Sequence, residues 1–413
     1  MTALPAKPAA DPTAPTLHDR AAAEAYVASV CFKHGPPQLV GAELEWTVHY
    51  AGRPRRSLHL PDLVAALAAH APTTVNPTSP QVPLRNGSLV TVEPGGQVEI
   101  SAPPQQSLST LLSAVAADAA ELATLLDKGG LVLGRHGFDT HRVPNRLLST
   151  PRYSAMDEAF SALGPDGLAW MCATAGLQVC LDVGLPDRIA PRWAAVNALG
   201  PVLSALFANT GPPAGQRDSW VSARMRAMLR ADPARTAPVD VDEADPAGSW
   251  ARLAVDAPVL CVRRPDGNWA PSRPVSFAEW IDGALDTKPT LDDLDYHLST
   301  LFPPVRPRGY LEVRYLDSQP DGEWIAPVAL LTALFADEST VDAALAAARP
   351  AADRWLPAAR DGLADPLLAE AADAVLDVAI TAIPDNTDLT GDAVEQVVGL
   401  LARRRRISGG ERS

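Results

Sequence analysis

The sequence predicts an α+β fold: a curved, mainly antiparallel sheet with one polar and one apolar face, and helices packed on the apolar side. Three observations predict it. Four segments alternate polar and apolar residues with period two, as half-buried strands do. Other stretches carry apolar residues at helical spacing. Strands and helices do not alternate as regular βαβ units, which disfavours a doubly wound parallel sheet.

The elements follow in chain order. Residues 1–16 are rich in Pro and Ala and are expected to form a disordered tail, with 17–413 as a single domain. "LHDRAAAEAYVASVCF" reads as an opening helix, and "LVGAELEWTVHY" (Leu39 to Tyr50) as a strand. Leu60 to His70 reads as a helix with Pro61 in its first turn. "SLVTVEPGGQVEISAPP" reads as two strands joined at Pro94-Gly95-Gly96. The next segment has Leu108, Leu111, Leu112, Val115, Leu122, Leu125 and Leu126 at helical spacing and ends at Gly129-Gly130. "GLQVCLDVGLP" is a strand, and "RWAAVNALGPVLSALFAN" is a helix in which Pro201 predicts a kink or break. The acidic, Pro-rich stretch 232–248 is expected to be a surface loop, "GYLEVRYLD" a strand, and 323–406 mainly helix.

The chain has 413 residues, 47% hydrophobic and 20% charged, with 35 basic against 49 acidic side chains and a net charge of −14. A sizeable core is expected. The acidic balance argues against nucleic acid as a partner, because phosphate binding needs a basic face. The only basic run, "ARRRRIS" (Ala402 to Ser408), fits a solvated helix end or an anionic surface contact. The N-terminus lacks an apolar core of signal-peptide type, and no segment reaches about 18 consecutive apolar residues, so the expected location is the cytoplasm, without a membrane. Cys31, Cys172, Cys180 and Cys261 form no C-x-x-C, and buried free thiols are expected.

Period two sorts the strand residues onto faces. Glu43, Glu45 and Thr47 share one, with Ala42, Leu44, Trp46 and Val48 behind. Gln97, Glu99 and Ser101 share another, as do Gln178, Cys180 and Asp182, and Tyr310, Glu312 and Arg314. In one sheet, the polar face would gather Glu43, Glu45, Glu99, Asp182 and Glu312 against the single arginine Arg314. Two readings fit. A sheet with one wet face alternates in this way without further purpose. Alternatively, divalent cations neutralise the cluster, since Mg²⁺ takes oxygen ligands and bridges carboxylates to phosphate. Lysine is absent from all four strands, which suits the second reading. No G-x-x-x-x-G-K-[ST], G-x-G-x-x-G, G-x-S-x-G or H-E-x-x-H occurs.

The motifs "GAELEW", "GGQVEISAPP", "TPRYSAM", "MCATAGLQVCLDVG", "SARMRAMLRADPART", "FAEWIDG" and "HLSTLFPPVRPRGYLEVRYLD" run in order between about residues 40 and 335. In this ordered set the sequence resembles the glutamate–cysteine ligases of plant and proteobacterial type. It departs from their pattern at Met228, Arg230 and Cys180, where those enzymes often carry Trp, Asp and Asn. The resemblance implies a glutamine-synthetase-like ligase domain and an ATP-dependent reaction. Glutamate's γ-carboxylate takes the γ-phosphoryl group of ATP, and the amine of cysteine then displaces phosphate to give γ-glutamylcysteine, in actinobacterial members for ergothioneine synthesis. Its partners would be the small molecules glutamate, cysteine and ATP.

On this reading Glu43, Glu45, Glu99 and Glu312 are metal ligands, enough on one rigid face for two or three Mg²⁺ ions. Arg314 contacts transferring phosphate, forms a salt bridge with a neighbouring Glu, or does both. Arg224 acts beside it in catalysis, and Arg235 clamps phosphate or carboxylate, unless both line a solvated helix face. Gln97, Arg152, Tyr153, Gln178, Asp182 and His297 are candidates for substrate or nucleotide contact; a structural role competes for Arg152, Tyr153 and His297. A ligase with another amine acceptor, a non-catalytic binder of metal or ligand, and a Mg²⁺-dependent hydrolase remain as alternatives.

Overall fold

A computed structural model describes residues 13–210, 220–265 and 267–410, the side chains of 406–410 excepted. Among the described residues, eight strands form two sheets. The first has six: β1 (Val40–Trp46), β3 (Leu89–Val92), β4 (Val98–Ser101), β6 (Gly176–Leu181), β7 (Val305–Pro307) and β8 (Leu311–Asp317). Their order is β3-β4-β1-β6-β8-β7, and every neighbouring pair is antiparallel. The second sheet pairs β2 (Val48–Tyr50) with β5 (Leu131–Leu133). The α+β expectation and all four alternating segments are observed.

The alternation decides which side is covered. Leu44, Ile100, Leu177, Val179, Val313 and Tyr315 are buried in the core. Helices Leu108–Lys128, Ile189–Leu206 and Ile325–Ala336 pack against these strands. Leu108–Lys128 is capped by Ser107, whose side chain accepts from the Thr110 amide. By length and composition alone it is apolar enough to cross a membrane. It buries Leu111, Val115, Leu122 and Leu126, and its buried Asp118 accepts from the backbone of Asn86 and Ser88.

Several expectations change. Residues 1–12 lie outside the described residues, but the tail expected over 1–16 ends sooner: Thr16 bridges to Thr290, and the Leu17 amide donates to Pro289. Helix Ile189–Leu206 runs unbroken through Pro201. Residues 232–248 are not a plain surface loop: Pro233–Thr236 is a helical turn capped by Asp232, with Arg235 and Thr236 buried. Two arginines of the C-terminal run are tied internally, Arg404 to Glu323 and Arg405 to Asp373 and Asp377. All four cysteines are buried and free.

Candidate active site

The face of the main sheet away from those helices is acidic, with β1 at its centre. Glu45 stands directly opposite Glu99 of β4. Glu43 stands opposite Ser101 on one side and Gln178 on the other. Like charges directly opposite one another destabilise an antiparallel pair. Burial aggravates this, because desolvation disfavours the charged form: Glu43 and Glu99 are only 8% and 7% exposed. Burial, with Glu312 nearby, pushes Glu43 up to about 7. Burial, with Glu93 nearby, pushes Glu45 up to about 8. Glu99 is pushed well above the ordinary carboxylate range by burial and by Glu43, Glu93 and Glu45.

Glu93 is a site residue that the sequence reading missed. It follows directly after β3, and its amide donates to the Gln97 carbonyl across the turn. Burial raises it, relieved in part by Arg152 and Arg314. Period two carried from Thr91 through the turn would have found it, because Thr91 faces Glu99. Hydrogen bonds hold two of the four acids. Glu99 accepts from Thr91 at 3.0 Å and Gln178 at 3.2 Å, and Glu45 accepts from the Gly176 amide at 2.8 Å. Glu43 and Glu93 have neither a side-chain hydrogen bond nor an ion pair among the described residues.

Glu312 differs. It is fully buried and meets three guanidiniums: Arg306 Nε at 2.7 Å, Arg314 Nη1 at 3.0 Å and Arg308 Nη1 at 3.2 Å. Burial pushes its carboxyl up, but Arg306, Arg314 and Arg308 together outweigh this and hold it well below the usual range. The count of one arginine against five carboxylates is thus corrected, because β7 and the turn after it bring Arg306 and Arg308 onto the face. Both Glu312 oxygens already accept guanidinium bonds, so a cation reaching this residue would have to displace one of them. Arg314 also donates to Gln178 Oε1 at 2.5 Å, while its Nε is buried without a partner. A continuous chain of side chains from four strands, Glu312, Arg314, Gln178, Glu99 and Thr91, therefore reaches from β8 over β1 to β3.

Two further arginines flank the acids. Arg224 lies on helix Ala223–Ala231, which Ser222 caps. It donates to the Arg314 carbonyl at 2.7 Å and packs so closely on Gly176 that a Cβ there would sit 2.5 Å from Nη2. Burial lowers its pKa, opposed by Asp317 and Glu45. Arg152 and Tyr153 open helix Pro151–Ser161, capped by Thr150. Arg152 is the first attraction felt by Glu93, and Tyr153 is raised by burial and then by Glu93.

The remaining candidates have structural work. The Gln97 amide donates to Thr174 and Met171 and accepts from Gly95, fastening the hairpin turn to a helix end. Asp182 lies past β6 and accepts from the amides of Gln38 and Leu39. Arg235 is spent on Asp232, Pro258 and Thr300. His297 is buried against Phe277, and its Nε2 is 2.8 Å from the Ala254 carbonyl; burial lowers its pKa to about 3, so it stays neutral. A recess of about 350 Å³ at Asn86, Ser109, Thr110, Ser113 and Ala114 includes none of the acidic-face residues, so charge rather than cavity volume marks the site.

The chemistry of the donor set suits Mg²⁺. Among the described residues no three acidic, His or Cys side chains form a ready cage. Mg²⁺ rarely needs one: it typically takes one or two carboxylates and completes its shell with phosphate oxygens and water. Glu43 and Glu99, buried, and Glu45 and Glu93, half-buried, repel one another and fit that mode.

The sequence profile of glutamate–cysteine ligase family 2 (GCS2) matches residues 39–402. The chain belongs to that family. This ligase-family protein is 42% identical over 353 residues to a glutamate–cysteine ligase EgtA of Mycolicibacterium smegmatis, covering 83% of this chain and 80% of the relative. It is 38% identical over 395 residues to the EgtA of Mycobacterium tuberculosis, covering 94% and 88%. A solved glutamate–cysteine ligase from Francisella tularensis, in complex with AMP, superposes with a TM-score of 0.51 at 13% identity, covering 92% of this chain and 83% of that one. That likeness shows the fold alone: this chain shares its overall architecture with that enzyme.

Proposed function

We propose that this protein joins the γ-carboxylate of L-glutamate to the amine of L-cysteine at the expense of ATP. The reaction runs through γ-glutamyl phosphate and releases γ-glutamylcysteine, ADP and phosphate, supplying ergothioneine synthesis. The observation that carries the reading is the buried acidic face, short of counter-charge and flanked by arginines, in a chain whose relatives are named glutamate–cysteine ligases.

The residues fit distinct tasks. When bound, Mg²⁺ supplies the positive charge that lets a carboxylate approach a triphosphate. Glu43, Glu45, Glu93 and Glu99 would hold it; Glu312 serves first as the anchor of the arginines. Arg314, fixed by Glu312 and Gln178, carries the positive charge that would stabilise the transferring phosphoryl group. Among the described residues Arg224 has no carboxylate ion pair, and it would meet an oxyanion at the Glu45 end of the face. Gln178 ties the two poles, so that arginine and carboxylate move together.

The test is ADP release from ATP, Mg²⁺ and glutamate, with and without cysteine and with a panel of other amines. Cysteine should accelerate it most. Equal acceleration by several amines would make the acceptor another one, and release without any amine would indicate a hydrolase.

A further inference from the structure

A tyrosine outside the acidic face packs against two arginines. Tyr296 lies on helix Leu291–Leu298, with the Arg263 guanidinium over its ring at 4.7 Å and that of Arg152 at 5.2 Å. Trp269 meets the ring edge-on at 5.7 Å. The Tyr296 hydroxyl is buried without a well-formed hydrogen bond, so the ring face makes the better-defined contact with the guanidiniums. Arg263 is locked behind it: Nη2 donates to Asp292 at 2.8 Å and Asp293 at 2.9 Å.

Arg152 is held differently. Its Nη1 and Nη2 donate to the Ser299 hydroxyl at 3.1 Å and the Ser299 carbonyl at 2.8 Å, both neutral acceptors. It has no ion pair with a carboxylate among the described residues. Its charge acts on Glu93 across the site. A half-buried guanidinium resting on a ring face and neutral oxygens, with Glu93 acting on it only at a distance, is a cation held ready for a further anion.

We propose that Tyr296 is a positioning residue that holds Arg152 at the Glu93 edge of the acidic face to bind an oxyanion of a substrate. This rests on the ligase reading. The oxyanion is either a carboxylate of glutamate or a phosphate of ATP, which share the chemistry guanidinium recognises.

The experiment measures KM for glutamate, MgATP and cysteine separately in Arg152→Gln, Tyr296→Leu, Tyr296→Phe and Ser299→Ala. Arg152→Gln and Tyr296→Leu should raise the same KM about tenfold, equivalent to about 1.4 kcal/mol, with little change in kcat. A shift for glutamate assigns the carboxylate, and a shift for MgATP the phosphate. Tyr296→Phe keeps the ring and should restore that KM to within about twofold. Ser299→Ala, a smaller change if Tyr296→Leu folds poorly, should raise it about threefold. The double variant Arg152→Gln/Tyr296→Leu should be no worse than either single one, because the ring acts through the guanidinium. A merely structural tyrosine would lower active fraction and melting temperature without moving one KM selectively. Unchanged KM values in Arg152→Gln, or in both Tyr296→Leu and Ser299→Ala, would overturn the proposal. If the parent protein turns over no amine, the ligase reading fails on its own; calorimetric titration of the same variants with glutamate and with MgATP then decides the role of Tyr296.

Discussion

Glu43 and Glu312 lie on one face of one sheet, yet their surroundings predict opposite responses to the same substitution. Glu43 is buried, stands near Glu312 and lacks a hydrogen bond, and Arg308, Arg314 and Arg306 relieve it only in part, so its charge destabilises the fold. Glu43→Gln should therefore stabilise the ligand-free protein at pH 8 by on the order of 1–3 kcal/mol while lowering ligase turnover at least about a hundredfold. Glu312 has three guanidiniums on its two oxygens. Glu312→Gln leaves buried positive charge uncompensated and should cost about 3–5 kcal/mol. Urea unfolding of the two variants separates the cases; equal destabilisation of both would mean that the acidic face is not under electrostatic stress. Sequence alternation put both residues on one face but did not tell them apart, because the arginines that distinguish them come from β7 and the turn after it.

The β3–β4 hairpin is the element that sets the acidic cluster. It brings Glu93 and Glu99 to β1 from two ends of one turn. Pro94-Gly95-Gly96 was legible as a turn, and Gly96 has φ of +87°, where glycine is favoured. What the turn packs against was not legible. A Cβ on Gly95 would fall 2.1 Å from the Cys172 carbonyl oxygen, so the turn lies flush on the end of helix Pro165–Ala173. Gly95→Ala must lift the hairpin from that helix and break the Gln97 bonds to Thr174 and Met171. The expected cost is about 1–3 kcal/mol, with activity reduced at least about tenfold as Glu93 and Glu99 shift; wild-type melting and turnover would refute the fit. The same contrast explains residues 232–248. Their proline and acid content suggested a loop, but Asp232 caps a short helix and binds Arg235, a pairing three residues apart that matters only once both are buried.

Across the whole molecule the acidic face couples stability to pH. In the unfolded chain these carboxyls release their protons near 4.5; in the fold, Glu43 does so near 7 and Glu45 near 8. Between those values the native state binds more protons than the unfolded one, so stability falls as pH rises from about 4.5 to 8. The melting temperature of the ligand-free protein should decline over that window, and Mg²⁺ with ATP should flatten the decline by favouring the ionised face. A flat profile without ligands would contradict the cluster. The sequence by itself determined the antiparallel strands, the helices that back them and the acidic side of the sheet, because period two and helical spacing are local properties of the chain. Only the tertiary structure decided that Glu93 joins the acids, that Glu312 belongs to the arginines, and that Asp182, Arg235 and His297 are turned to structural partners. A charged side chain's role depends on which charges surround it after burial, and those neighbours come from segments far apart in the chain.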